Sequence, residues 1–193
     1  MVDECKGPSA VELARRLGLP LVVKPICQGS SIGMTIARTE AELADGIKTA
    51  FAHDSRVMVE QFVVGREITA GVLGNADPVA LPLIEIIPGE GHAFFDYHAK
   101  YQPGASREIC PAPLEEGLAA QAQQYGVAAH RALQLRGYSR TDMILTSEGR
   151  FVLLETNTIP GMTATSLFPQ AAAANGLGFS DLLEKLIELG MEK

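Results

Sequence analysis

The sequence is poor in cysteine, and its cysteines are badly spaced for chemistry. Cys5, Cys27 and Cys110 form no Cys-x-x-Cys pair, and an odd count leaves one unpaired. A disulfide framework is therefore excluded, and a reducing, cytoplasmic compartment is the expectation. Buried, inert thiols are expected at these positions rather than a nucleophile. Basic charge is also short. The 16 Lys and Arg stand against 23 Asp and Glu, for a net charge of -7, which argues against non-specific nucleic-acid or anionic-membrane binding. It does not exclude an anionic ligand, since one phosphate site needs only a few local cations. Long apolar runs are missing, because tracts such as 81–87 carry Pro or Glu and are too short to cross a bilayer. The opening Met1-Val-Asp-Glu4 has neither a basic nor an apolar stretch, so no secretory signal is expected. His53, His92, His98 and His130 fall at no metal-ligand spacing. There is no repeat, no low-complexity linker, no Walker loop and no dinucleotide fingerprint.

What is present suits a packed fold. Hydrophobic residues make up 47% and charged residues 20% of 193 positions, enough for one substantial domain or a domain with a small lobe. Ser9-Ala-Val-Glu12 is a capping-box pattern that opens a helix to about residue 17. Leu21-Val-Val reads as a strand running into Lys24-Pro25, followed by the loop Gln28-Gly-Ser-Ser-Ile-Gly33. Thr39-Glu-Ala-Glu42 is a second capping box, for a helix to about residue 52. Segments 56–62, 66–73 and 79–86 read as strands, and 87–113 as a long irregular segment. A helix is expected over about 114–136, strands over 138–146 and 151–156, and two closing helices over 165–175 and 180–189. The class is α+β, with mixed or antiparallel sheets and flanking helices.

The hairpin 138–156 carries the most chemistry. A two- or four-residue loop centred on Glu148-Gly149 places Asp142 opposite Glu155 and Arg140 opposite Asn157. Side chains alternate along a strand, so these four share one face. Met143, Leu145, Val152 and Leu154 then share the other, as a core requires. Carboxylates directly opposed across an antiparallel pair repel. A divalent cation would offset that, and Asp, Glu and Asn are the oxygen ligands that Mg²⁺ prefers. Arg140 is placed for a phosphate or a developing oxyanion. The hairpin alone equally admits a solvated strand face with an arginine salt bridge. Elsewhere, Lys24 with the small residues 29–33 suits phosphate approach or a plain turn. Glu60 and Glu67 flank a turn at Gly65. Phe94-Phe-Asp-Tyr-His-Ala-Lys-Tyr101 suits a lid over a reactive phosphate or a packed loop without chemistry.

Taken in order, Lys24-Pro25, Gly29-Ser-Ser-Ile-Gly33, Glu60…Gly65-Arg-Glu67, Tyr97-His-Ala-Lys-Tyr101, Arg140-Thr-Asp142 and Glu155-Thr-Asn-Thr-Ile-Pro-Gly-Met-Thr163 resemble the D-alanine–D-alanine ligases. The resemblance implies an ATP-grasp fold, in which two small α+β lobes enclose the nucleotide. Residues 1–63 would be a partial central, ATP-binding lobe, and 64–193 the C-terminal catalytic lobe. It implies that Lys24, Ser30 and Ser31 contact ATP and that Lys100 reaches its γ-phosphate. Glu60 and the backbone near Gln61 and Val63 would meet adenine, with Phe62 beside it, and Glu67 would hold the ribose. Asp142, Glu155 and Asn157 would bind two Mg²⁺ or Mn²⁺ ions. Arg140 and the Gly161 N–H would stabilise the tetrahedral oxyanion. Ser166 and the backbone near Leu167 would take the second substrate's carboxylate, and Ser30 and Tyr101 would lie beside the substrates.

The implied reaction joins two D-alanines through an acyl phosphate for peptidoglycan precursors. The resemblance further implies a chain that begins after an N-terminal domain, a piece that this domain would complete, and room for a homodimer. A D-alanine–D-lactate ligase and a nucleotide-binding fragment inactive without a partner domain are the alternative readings.

Overall fold

The computed structural model describes residues 2–3, 7–29, 31–89 and 106–192. The described residues fall into two compact units, one running up to Val63 and the other comprising 64–89 and 106–192.

The first unit contains β1 (Val2–Asp3), α1 (Ala10–Leu17), β2 (Leu21–Pro25), β3 (Thr35–Ala37), α2 (Glu40–Phe51) and β4 (Arg56–Gln61). Helix α1 begins where expected. The Ser9 hydroxyl accepts from the Glu12 N–H at 3.3 Å, and the Glu12 carboxylate accepts from the Ser9 N–H at 2.8 Å. The second capping box forms only in part. The Thr39 hydroxyl accepts from the Glu42 N–H at 3.2 Å, but the Glu42 carboxylate reaches past the cap to the Arg38 N–H at 2.7 Å. The strands form an antiparallel sheet in the order β1-β4-β2-β3. Leu21, Val23, Leu43 and Val57 are fully buried between this sheet and the two helices, each burial contributing about 1.5–3 kcal/mol. Alternation turns Val22 and Lys24 to the opposite face of β2.

The second unit contains β5 (Arg66–Leu73), β6 (Val79–Ala80), β7 (Ile84–Pro88), β8 (Ser106–Ile109), α3 (Glu116–Ala132), β9 (Tyr138–Leu145), β10 (Phe151–Asn157), α4 (Leu167–Ala174) and α5 (Phe179–Met191). Its antiparallel sheet runs β10-β9-β5-β7-β8, with β6 also paired to β5. Ile68, Ala70, Met143 and Leu145 project from one face into a core with Ala122 of α3. Tyr125 and Phe151 meet there edge to face at 6.0 Å.

Three expectations need correction. The strand expected over 79–86 breaks into β6 and β7, because Pro82 has no N–H for the ladder and the chain steps out around it. The segment expected to be irregular over 87–113 contains part of β7 and all of β8, an edge strand whose pairing partner β7 supplies the order its own short sequence does not announce. The remainder of that segment, 90–105, lies outside the described residues. Finally, Cys27 is exposed and Cys110 half-buried. Burial pushes the Cys110 thiol above its ordinary range, while Cys5 lies outside the described residues.

Candidate active site on the second sheet

The β9–β10 turn has three residues, not two or four. The Thr146 N–H donates to the Arg150 carbonyl at 2.9 Å, and the Gly149 N–H donates to the Thr146 carbonyl at 3.0 Å. Gly149 has φ 76, a left-handed conformation that glycine adopts without a Cβ clash. Beside the turn the pairs are therefore Phe151 with Leu145, Val152 with Ile144 and Leu153 with Met143, one residue away from the expected register. Then Leu154 bulges out of the ladder. Beyond it Glu155 pairs with Asp142, Thr156 with Thr141 and Asn157 with Arg140, as expected. Turn and bulge cancel. The expected core face is wrong near the turn for the same reason: Phe151, not Val152, packs into the core, and Leu154 is 39% exposed.

Arg140 and Asp142 lie two apart on β9 and form a bidentate ion pair. Arg140 Nε donates to Asp142 Oδ1 at 2.8 Å, and Nη2 donates to Oδ2 at 2.6 Å. Their side chains are only 15% and 14% exposed. Burial works against the Arg140 charge. The bonds to Asp142, with the fields of Asp142, Glu155 and Glu67, nevertheless raise its pKa above the ordinary value. Strand β5 pairs Thr69 with Asp142 and Gly71 with Arg140, so Glu67 and Thr69 belong to this same face. The Thr69 hydroxyl donates to Asp142 Oδ1 at 2.7 Å. Sequence reading passed over Thr69, although alternation from Glu67 along β5 points to it.

The loop after β10 folds onto the start of α4. The Ser166 hydroxyl accepts from the Thr163 N–H at 3.1 Å and lies 2.8 Å from Thr163 Oγ1. It makes no capping bond to α4, so the first N–H groups of that helix keep their donor capacity. A Cβ at Gly161 would come within 2.9 Å of Ser166 Oγ, so a side chain there would displace the Ser166 hydroxyl. Gln170 braces the loop, donating to the Thr165 carbonyl at 2.8 Å and to Glu108 on β8 at 2.6 Å. Thr69, Gly71, Arg140, Leu167 and Phe168 line one tight gap beneath α4, so Arg140 and the Ser166–Leu167 step lie close together. Gln170 and Glu108 were not anticipated, since their contact joins segments 62 positions apart.

In the first unit, Lys24 Nζ and Glu60 Oε1 form an ion pair at 2.7 Å, with side chains 22% and 32% exposed. Val22 is the strand partner of Glu60, which puts Lys24 and Glu60 diagonally on one face. Gln61 Nε2 donates to the Leu17 carbonyl at 2.8 Å, and the Phe62 N–H donates to the Pro20 carbonyl at 3.1 Å. Ser31 has φ 59 in a turn closed by the Ile32 N–H on the Gly29 carbonyl at 3.2 Å. Ser30, Lys100 and Tyr101 lie outside the described residues.

The donor set Asp142, Glu155 and Asn157 comprises two carboxylates and an amide, hard oxygen ligands that fit Mg²⁺ or Mn²⁺. Asp142 is already paired with Arg140, which leaves Glu155 as the second carboxylate of this set. Among the described residues no group of three His, Cys, Asp or Glu side chains forms a metal cluster, and this set includes only two such residues. Among the described residues no helix is long and apolar enough to cross a membrane.

The family model described as D-ala D-ala ligase C-terminus matches residues 3–188. The chain is 60% identical over 183 residues to the D-alanine–D-alanine ligase of Desulfotalea psychrophila, covering 94% of this chain and 57% of that protein. It is 58% identical over 192 residues to the D-alanine–D-alanine ligase of Syntrophobacter fumaroxidans, covering 100% of this chain and 61% of that protein. The chain thus spans about three fifths of the length of these curated relatives. Among solved structures, it is similar to the Bacillus anthracis D-alanine–D-alanine ligase complexed with ATP. The TM-score is 0.81 at 31% identity, over 98% of this chain and 58% of that one.

Proposed function

Because the chain belongs to the D-ala D-ala ligase C-terminus family, we propose that it supplies the ATP-binding and catalytic part of a ligase that joins two D-alanines. The observation that carries this reading is the cross-strand pairing of Asp142 with Glu155 and of Arg140 with Asn157 on one sheet face, in a chain of this family. ATP transfers its γ-phosphoryl group to the carboxylate of the first D-alanine, the β–γ bond breaks, and ADP is the leaving group. The amine of the second attacks the acyl phosphate, the new C–N bond forms, and inorganic phosphate leaves. Such chemistry rests on positioning and charge neutralisation more than on covalent participation by the protein.

In the first unit Lys24 meets phosphate oxygens, with Ser30 and Ser31, and Glu60 meets the adenine amino group. Their mutual ion pair opens when nucleotide arrives. Gln61 and Val63 contribute backbone contacts, and Phe62 packs against the base. In the second unit Glu67 holds ribose hydroxyls. Asp142, Glu155 and Asn157 hold two Mg²⁺ or Mn²⁺ ions, whose chemistry when bound is to neutralise phosphate charge. Arg140 and the Gly161 N–H face the tetrahedral oxyanion. Ser166 and the Leu167 N–H, at the start of α4, take the carboxylate of the second D-alanine. Lys100 and Tyr101 complete the phosphate and substrate contacts.

The greater length of the relatives supports a preceding domain that walls the first D-alanine site. Residues 1–63 then form part of the central lobe and 64–193 the catalytic lobe. A homodimer and a cytoplasmic setting, where peptidoglycan precursors are built, complete the reading. The test measures phosphate release and D-alanyl-D-alanine together on the 193-residue chain, alone and with a preceding ligase domain added. Little dipeptide alone and recovery with the domain is the expected result. No dipeptide in either case, with no ATP binding, would overturn the proposal.

A further inference from the structure

The Asp142 carboxylate is held from two sides, and the two holds differ in kind. Thr69 is 2% exposed and is the direct cross-strand partner of Asp142. Its hydroxyl donates to Oδ1 at 2.7 Å. Arg140 donates to Oδ1 at 2.8 Å and to Oδ2 at 2.6 Å. An ionised carboxylate offers roughly four lone-pair positions, and these bonds use most of them. A divalent cation at Asp142 needs one of those positions and repels the guanidinium, so cation and Arg140 compete for the same oxygens. Thr69 does not compete. Its hydroxyl is neutral, it reaches only Oδ1, and its β-branched side chain is stiff and buried.

We propose that Thr69 is a positioning residue: its hydroxyl holds Asp142 in the ligating rotamer while Oδ2 turns from Arg140 to a divalent cation. The proposal rests on the reading of Asp142 as a cation ligand. Hydrogen bonds of this kind orient a ligating carboxylate, and losing one typically weakens metal binding about 10- to 100-fold. A threonine that merely satisfies a buried hydroxyl would affect stability and leave cation affinity unchanged.

The experiment titrates the full 193-residue chain with Mn²⁺ and ATP by calorimetry, and records thermal melts beside it. Thr69→Val is expected to bind Mn-ATP at least about tenfold more weakly with its cooperative melt retained. Thr69→Ser, which keeps the hydroxyl, stays close to the unsubstituted chain. Thr69→Ala makes the same comparison without added bulk should the valine variant fail to fold. Asp142→Asn serves as the reference. If it weakens binding while neither hydroxyl-free variant does, the Thr69 proposal falls and the reading of the site stands. If Asp142→Asn binds as the unsubstituted chain does, or that chain binds no Mn-ATP, the reading falls and takes the Thr69 proposal with it.

Discussion

Glu155 faces Asp142 across the β9–β10 ladder, and the unpaired Leu154 beside it sets that pairing. The three-residue turn offsets the strands by one position, and the bulge restores the offset before the polar residues begin. Removing one residue from a strand ordinarily sends every later side chain to the wrong face. Here the consequence differs. Deleting Leu154 straightens β10 and leaves Glu155 opposite Asp142. The variant is expected to melt cooperatively and to bind Mn-ATP within a few-fold of the parent. Loss of binding with a retained fold would mean that the bulge itself shapes the site.

Arg140 and Asp142 are both largely buried, so removing one partner is costly. Among the described residues, Arg140→Met leaves the Asp142 carboxylate with the Thr69 hydroxyl as its donor. A destabilisation of about 3–5 kcal/mol is expected, the range for an uncompensated buried charge. Replacing both, as Arg140→Met with Asp142→Leu, should recover much of it. Urea denaturation of the single and double variants measures the difference, and equal losses in both would contradict the argument.

Gly161→Ala pushes a methyl group against Ser166 Oγ, at 2.9 Å before relaxation. The loop is exposed, so the stability change should stay within about 1 kcal/mol. The Ser166–Thr163 bonds are the ones displaced. In a ligase carrying its preceding domain, the KM for the second D-alanine should rise about tenfold or more. An unchanged KM would remove Ser166 from the substrate site.

The Lys24–Glu60 pair is partly exposed, and such pairs contribute about 0–1 kcal/mol. Glu60→Ala should therefore barely move the melting temperature, yet lower ATP affinity, because the same carboxylate is proposed to read adenine. ATP titration beside a melt separates the two effects. A large loss of stability with unchanged affinity would assign Glu60 a structural role.

His130 is fully buried, its Nδ1 2.8 Å from Ser139 Oγ. Burial lowers its pKa below the ordinary value of 6.5. The unfolded chain then binds more protons than the folded one once pH drops below 6.5. Stability from this group is therefore fully present above that pH and is lost as pH falls toward the lowered folded value. His130→Gln should be less stable at neutral pH but flatter between about pH 7 and 5. Parallel curves for the two proteins would exclude His130 as a source of acid sensitivity.

Much of this was readable along the chain because strand alternation and helix capping are local. Arg140, Asp142, Glu155 and Asn157 share a face whenever their strands pair in that register, and Ser9-Ala-Val-Glu12 specifies its own helix start. The order of motifs pointed to the family before any contact was known. What the chain could not announce depends on partners distant in sequence. The short strand β8 exists because β7 pairs with it. Thr69 meets Asp142 across 73 positions, and Gln170 meets Glu108 across 62. The turn length and the compensating bulge were likewise not legible, because they set which residue of β10 faces the core, where Phe151 meets Tyr125. Local periodicity chooses which residues can share a face; long-range pairing and the filling of the core choose which of them touch.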